Sequence, residues 1–587
     1  MSTSPSSTSR WKSNGWTTAT RWIRRLTLTL VLLPGWAYGQ SFGTLDVNDP
    51  TQFLLKRLEL RGHLDSPNLD LAPLSVRRRD ALLAGIDGSQ LGPLDTTLIA
   101  QTLGSMALPL EQKVHALWGA LYERPGTFYQ VGDADYSVTV EPWMLLGTGL
   151  PFQRTDNRGS YSLQSTRGFR LAGRIGTRIT FESRMTQNRL IEVGPIRDFE
   201  RKVRRVGSIP GAGMSLGWGR GGDGYDYAEN EVHFLDAVGI IAYEDDYFNI
   251  RFGRDRNRYG FAQGSPLLSP IHAPIDQLQI LFNTDKFSYG MLLMSLVSPD
   301  KRAVRGQLSP VNVVGEANPR RFSAVHRVSV HVGKRLEFSI AEAVVLYADS
   351  LGSQRGMDLA YLNPLTLYNA SERDLGSPDN TMMEVAGRLR LFDRMALYGH
   401  AHIDEAPNAR SLDWWGTKWA LVGGLEVADL GLKGSLLMVE MAAIRPYMYS
   451  HRSTFSSYTH YNDVLGHPAE ANAYDYMLRW HLMRPRIQAG VLATYTLKGR
   501  STSTENYGSS AIEPYGTRVS EYGVTLGWGV RQTRSLVDAF VEYAWLPKLF
   551  TGLYLRHEVL DDALLGEDQF SQAGVYMRWG MPYPWQR

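Results

Sequence analysis

Two periodicities divide the chain. Between residues 48 and 125 apolar positions recur at helical spacing, and from about Tyr136 onward they alternate with polar ones. In the first part, Phe53, Leu54, Leu58 and Leu60 fall in one amphipathic stretch. Ser75 is placed to cap a helix running to about Ile86, and Asp95 to cap one running to about Met106. Glu111 to Arg124 carries Val114, Leu117, Trp118 and Leu121 on one face. Gly85, Gly88, Gly92 and Pro93 punctuate these runs, so a small bundle of three or four helices is expected. Arg77, Arg78 and Arg79 read as a solvated helix face.

In the second part, Val328, Val330 and Val332 alternate with Ser329 and His331. Leu336, Phe338 and Ile340 alternate with Glu337 and Ser339, and Val575, Met577 and Trp579 with Tyr576 and Arg578. Val385, Leu389 and Leu391, and Ile487 through Ala493, repeat the pattern. One strand face is apolar and the other carries Arg, His, Glu and Tyr. That pairing suits an apolar surround outside and a polar interior. Tyr and Trp are frequent at the strand ends, as interfacial girdles require. Short links fall near Asp245-Asp246, Asn283 to Asp285, Gly333-Lys334, Asp393, Asp429 and Arg484-Pro485. Long ones fall near 146–167, 187–236, 254–276, 297–323, 347–380, 404–417, 446–474 and 498–519. The expected fold is mainly β: a transmembrane antiparallel barrel of about 18 strands with an N-terminal helical bundle. A nineteenth segment is in question around 520–559, where Gln532-Thr533 and Leu546 to Lys548 both read as turns.

Charge refines this picture at one end. The 587-residue chain carries a formal +3. Residues 1–39 hold Arg10, Lys12, Arg21, Arg24 and Arg25 and no acid, so without them the balance is +3 − 5 = −2. Arg24-Arg25 precede the apolar run Leu26 to Leu33, Pro34-Gly35 break it, and Ala37 and Gly39 stand at −3 and −1 of a cleavage site before Gln40. This is the order of a secretory signal peptide, and the run is far short of the roughly 20 residues of a spanning helix. The domains expected are therefore a signal peptide at 1–39, a periplasmic helical bundle at 40–127 and a barrel at 128–587. An exported, slightly acidic product argues against a nucleic-acid partner. The absence of cysteine excludes disulfides, a lipidated N-terminus, cysteine nucleophiles and thiolate metal sites.

Motifs for enzymatic chemistry are weak. Gly213 to Gly217 spells GxSxG around Ser215, and Gly217, Gly219 and Gly222 spell GxGxxG. Both lie in a glycine-rich loop without the strand–turn–helix setting either needs. His400 and His402 share a strand face near Asp404 and read as a polar lumen pair rather than a metal site. Asp245-Asp246, Asp404-Glu405 and Asp561-Asp562 are adjacent carboxylates on opposite strand faces, which is not a glycosidase geometry. No cofactor or metal is expected. The densest polar group is Arg251 to Gly260, where arginine forks, Asp255, Asn257 and Tyr259 offer either directional bonds to sugar hydroxyls or a rigidifying salt-bridge cluster.

The stretch from Gly253 to Asp276 resembles the signature of the capsule assembly protein Wzi family. The residues that carry it are Gly253-Arg254-Asp255-Arg256, Tyr259-Gly260, Leu267-Leu268-Ser269, Ala273-Pro274 and Asp276. Asn363-Pro364, Ser377-Pro378-Asp379-Asn380, Tyr398 through Asp404-Glu405, Leu58 to Gly62 and Pro73-Leu74-Ser75 extend it. Tyr259 stands where a Trp is expected. The resemblance implies an outer-membrane barrel with a periplasmic helical bundle that acts as a lectin, not an enzyme, and holds capsular or exopolysaccharide at the cell surface. Its partners would be that polymer and the outer-membrane lipid and lipopolysaccharide around it, with the protein a monomer. The polysaccharide-binding residues expected on this basis are Arg254, Asp255, Arg256, Tyr259, Asn363, Asp379, Asn380, Asp404 and Glu405. Two rivals remain: a porin or polysaccharide export channel using the same arginines, and a hydrolase using Ser215 or His400.

Overall fold

The computed structural model describes residues 42–64, 69–104, 128–154, 161–191, 208–209, 213–218, 231–298, 320–347, 356–405, 411–461 and 463–583. The expected signal peptide and the expected helix at Glu111 to Arg124 lie outside these residues, as do Gly219 and Gly222.

Eighteen antiparallel strands close into a barrel. The first, β1, is broken at Trp143 into Tyr136–Pro142 and Met144–Arg154. Then come β2 (Ser162–Ile175), β3 (Ile179–Ile191), β4 (Glu231–Glu244), β5 (Phe248–Asp255) and β6 (Ile275–Asn283). They are followed by β7 (Phe287–Val297), β8 (Arg320–Val332), β9 (Leu336–Val345), β10 (Asn380–Phe392), β11 (Met395–Glu405) and β12 (Lys418–Ala428). The wall finishes with β13 (Ser435–Ile444), β14 (Ala473–Met483), β15 (Ile487–Arg500), β16 (Val530–Leu546), β17 (Leu549–Asp562) and β18 (Gly566–Trp579). β18 pairs with β1, Tyr576 facing Gly147, which leaves the sheet without an edge.

The strand count resolves the ambiguity near 520–559. Gln532-Thr533 is not a turn. Both residues lie inside β16, paired to Lys498 and Leu497 on one side and to Asp562 and Asp561 on the other. The segment 520–529 before β16 is connection, not strand. The long link expected at 146–167 also shrinks, because β1 continues to Arg154 and β2 begins at Ser162. Short links occupy one end of the barrel, at 176–178, 245–247, 284–286, 333–335, 393–394, 429–434, 484–486 and 547–548. The alternation holds: Val328, Val330, Phe338, Ile340, Val385, Val575 and Met577 are exposed on the outer surface, while Arg327, Ser329, Ser339, Tyr576 and Arg578 are buried inside. Among the described residues no helix is long and apolar enough to cross a membrane.

Among the described residues, three α-helices precede the wall: α1 (Pro50–Leu60), α2 (Val76–Ala84) and α3 (Pro93–Thr102). Asp49 caps α1 through the Thr51 amide, and Ser75 caps α2 through the Arg78 amide. Asp95 is not a cap. Pro93 opens α3 after Gly92, its fixed φ suiting the first turn, and Asp95 lies inside that turn. There its carboxylate takes Arg57 of α1 at 2.5 Å and also pairs with Arg61. Burial opposes ionisation of Asp95, but the two guanidinium groups outweigh it and hold the carboxyl below its usual value. The arginine run is only partly a solvated face: Arg77 donates to the carbonyls of Thr177 in a short link and Glu244 at the end of β4, and Arg79 is buried against Asp80.

Helix α1 is seated in the short-link end of the barrel. Lys56 meets Glu426 at 2.6 Å, Arg57 meets Asp429 at 2.6 Å, and Glu59 meets Arg388 at 2.5 Å. The Phe53 ring stacks on His481 with centroids 4.7 Å apart. Leu71 and Ala72 form a two-residue strand against Tyr259 and Arg258, inside the wall.

Candidate functional site

The lumen is filled by two connections that turn inward. The first leaves β5 after Asp255 and returns at Ile275. The second joins β13 to β14 across residues 445–472. Tyr259, Leu267, Leu268, Tyr449, Tyr458 and Leu465 from these two segments have no solvent exposure and pack in one cluster with Leu292, Val325 and Ala343 of the wall. The segments bond to each other: Tyr458 Oη donates to the Leu267 carbonyl at 2.7 Å, Tyr449 Oη to Pro266 at 3.1 Å, and the Ser269 amide to Leu465 at 2.8 Å.

The first segment begins at a built hinge. β5 is only eight residues long beside the fourteen of β4, so the chain leaves the wall early. Gly253 has φ +140°, and a Cβ there would collide with the Gly239 carbonyl. Arg251, buried inside, joins Asp255 at 2.7 Å and Gln279 at 2.9 Å. Gln279 in turn donates to the Tyr259 hydroxyl at 2.8 Å. Gly260, at φ +126°, brings the backbone against His400. His400 Nε2 accepts the Phe261 and Ala262 amides at 3.2 and 3.3 Å, which places its proton on Nδ1, 3.3 Å from Glu384. His402 lies on the other oxygen of the same carboxylate. Glu440 accepts the Gln263 and Gly264 amides and the Tyr398 hydroxyl, so the segment is anchored on the opposite wall. Among the described residues no three potential ligands gather as a metal site.

The residues expected to bind sugar are scattered rather than gathered in one site. Arg254 points outward from β5 and shares Asp276 with Arg320, at 3.4 and 3.2 Å. Asp255 and Tyr259 are buried in the hinge, and the Tyr259 ring is covered on both faces. Arg256 pairs with Asp236 at 3.1 Å and donates to the His272 carbonyl. Asn363 lies in an exposed turn, its side chain accepting the Leu365 amide. Asp379 accepts the Tyr347 amide and the hydroxyls of Tyr361 and Ser377. Asn380 and Asp404 hold the second inward segment, through the Ser456 carbonyl at 2.9 Å and the Tyr449 amide at 2.7 Å. Glu405 pairs with Lys418 through its backbone. Ser215 lies on a strand, Gly213–Trp218, that pairs with β4, so the strand–helix elbow of a hydrolase does not form around it.

A different group lies at the long-connection end, packed around the buried Trp415. Residues 411–417 and 501–529 bring Trp414, Trp415, Tyr515, Arg518 and Glu521 together, and Tyr522 is exposed in the same connection as Glu521. The Trp415 ring meets Tyr515 at 4.6 Å and Trp414 at 5.5 Å, with the Arg518 guanidinium 4.3 Å above it. Trp415 Nε1 donates to Glu521 at 2.8 Å, and Asp413 accepts the Gly523 amide. Arg445 braces the platform from below by donating to the carbonyls of Val524, Trp414 and Thr417, at 2.9, 3.3 and 3.1 Å. Asn472 ties the neighbouring turn through Gly499, Tyr507 and Trp528. Aromatic faces flanked by a guanidinium and carboxylates can stack on the C–H face of a sugar ring and bond its hydroxyls. Motif reading passed over this group because its members sit in different connections. The signal was the aromatic density of Asp413-Trp414-Trp415 and of Tyr507 to Trp528 in segments otherwise rich in Gly and Ser.

No family model and no curated protein matches the sequence. Among solved structures, the fold is similar to Wzi of Escherichia coli, an outer-membrane protein involved in group 1 capsule assembly and a carbohydrate-binding β-barrel. That match has 11% identity, covers 92% of this chain and 100% of that one, and has a TM-score of 0.53. Two proteins of Pseudomonas aeruginosa are also found. OccK9 (OpdG) has 11% identity over 75% of this chain and 97% of that one, with a TM-score of 0.39. OccK7 (OpdD) has 10% identity over 77% and 100%, with a TM-score of 0.38. The chain thus has the fold of an outer-membrane β-barrel.

Proposed function

We propose that this protein holds a surface polysaccharide at the external face of the barrel, without catalysing a reaction on it. The observation that carries the reading is the filled lumen. Two inward segments, bonded to each other and to opposite walls, place side chains with no exposure across the middle of the barrel. An export channel for a polymer needs a continuous wet path, whereas a tether needs a rigid frame and an outward platform. The likeness of fold to a carbohydrate-binding barrel supports the same reading. The half-buried rings of Trp414 and Tyr515, seated on the buried Trp415, would supply stacking, and Arg518 and Glu521 hydrogen bonds. The barrel would act as a single copy in lipid and lipopolysaccharide.

The test pairs two measurements on the purified protein. Binding to a panel of capsular and exopolysaccharides, against detergent alone, is expected for at least one polymer. Conductance in a planar bilayer is expected to be near zero. Steady channel conductance without polymer binding would overturn the proposal in favour of a pore.

A further inference from the structure

Residues 356–376, within the connection between β9 and β10, fold back down the outside of the barrel. Register fixes the geometry. Across β8 and β9, Val328 faces Ile340 and His326 faces Glu342, and across β9 and β10, Glu342 faces Met383. Val328, Ile340 and Met383 are exposed on the lipid-facing surface, so His326 and Glu342, each an even number of residues away on the same strand, point outward too. So do Ala324 and Val344, yet these are fully buried, because Tyr361 and Tyr368 lie on top of them.

The covering segment is residues 356–376, ending in helix α4 (Tyr368–Leu375). It is fastened at two depths. At the rim, Tyr361 Oη donates to Asp379 at 2.6 Å, and Thr381 Oγ1 to Glu372 at 2.6 Å. Deeper, three residues below the end of β9, Glu342 accepts the Tyr368 amide at 2.7 Å and His326 Nε2 stands 3.1 Å from the same carboxylate. The Tyr368 ring stacks on His326 with centroids 4.1 Å apart. A carboxylate and an imidazole on the outer wall of a membrane barrel are costly in hydrocarbon, and the segment shields both.

Its own outward side is mainly apolar, with Asn363 the exposed polar residue between Leu359 and Leu365. Leu359, Leu365 and Leu367 are 79%, 92% and 55% exposed, the last two beside the deep anchor at Tyr368. The exposed charges, Arg373 and Asp374, lie at the other end of α4, next to the rim. Exposed leucines run from the deep anchor up to Leu359 and Leu375 near the rim, while the exposed charges are confined to the rim end, as in a segment immersed in one leaflet.

We propose that residues 356–376 form a flap embedded in the outer leaflet, with Leu359, Leu365 and Leu367 in contact with acyl chains. The occupant follows from continuity: the leucines extend the band formed by Val328, Ile340 and Val385, which faces lipid in any barrel of this kind.

The chain has no cysteine, so single-cysteine variants take a spin label at one place. Leu365→Cys is labelled in the full-length protein in lipid bilayers, and collision with oxygen is compared with collision with a water-soluble nickel chelate. Val330→Cys on the wall and Leu412→Cys on an external connection are the references. The oxygen-to-nickel ratio at 365 is expected to match position 330 and to exceed position 412 several-fold. A ratio like that at 412 would place the flap in water, and shielding from both probes would mean a protein partner or a second copy; either result overturns the proposal. Leu359→Cys gives the same reading if the first variant does not fold.

Discussion

Asp404 and Lys418 face each other across β11 and β12 at 3.2 Å with no solvent exposure on either side chain. Each does a second task. Asp404 accepts the Tyr449 amide, and Lys418 donates to the Ser450 carbonyl and lies 5.1 Å from the Tyr515 ring. The pair therefore joins the wall, the second inward segment and the outer platform. Asp404→Ala leaves a buried ammonium without its counter-charge, which costs about 3–5 kcal/mol. Amide exchange in residues 445–461 and 463–472 is expected to speed up while exchange in β15 to β18 stays unchanged.

The platform and the hinge make opposite predictions for sugar binding. Trp414 and Tyr522 present partly exposed rings, so Trp414→Ala and Tyr522→Ala are each expected to weaken polymer binding about tenfold, near 1.4 kcal/mol. Arg254 points away from the lumen on the outer wall and is paired with Asp276. Arg254→Ala is expected to leave polymer affinity within about twofold, as a surface ion pair contributes little. Titration with the polymer, with thermal unfolding as a control for folding, distinguishes the two sites.

The barrel was legible because alternation is forced on every strand by the two solvents it separates, as in Val328-Ser329-Val330. The ambiguity near Gln532-Thr533 arose because a polar dipeptide in a lumen-lined strand resembles a turn. The inward segments were less visible. Residues 256–274 carry enough Gly and Pro to look like surface loop, and only the apolar Phe261, Leu267, Leu268 and Ile271 betray burial. In the motif around Gly253 to Arg256, Gly253 and the Arg251–Asp255 pair build the inward turn, which matches the rigidifying cluster read from the sequence as one of two alternatives. Asp95 looked like a helix cap because its real partners, Arg57 and Arg61, lie far away in sequence.

If the inward segments close the lumen, shortening one should open it. Replacing residues 448–468 by a short Gly-Ser linker removes Tyr449, Tyr458 and Leu465 from the central cluster and keeps β13 and β14 intact. Planar-bilayer recordings are expected to change from silent to stepwise conductance. A silent variant that still shows the slow gel mobility of a folded barrel would mean that the first segment and α1 suffice as a seal.

Acid should loosen the same seal. His451 and His272 are buried in the two inward segments, His451 with Nδ1 2.6 Å from Ser456 Oγ and His272 with Nδ1 2.7 Å from the Ala273 carbonyl. Burial, aided at His451 by Lys418 and Arg452 and at His272 by Arg256, pushes their pKa values down to about 3 and about 4. In the detached segment both return to about 6.5. Below that value the detached form binds protons that the packed form refuses, so packing is strongest above pH ~6.5 and weakens as pH falls toward about 4. Amide exchange of 256–274 and 445–461, corrected for its intrinsic pH dependence, is expected to rise between pH ~7 and ~4.5 while the wall stays protected. His451→Gln removes one titrating group but keeps a polar side chain beside Ser456. Its pH dependence in 445–461 is expected to be shallower, and an unchanged slope would show that His451 does not report on the seal.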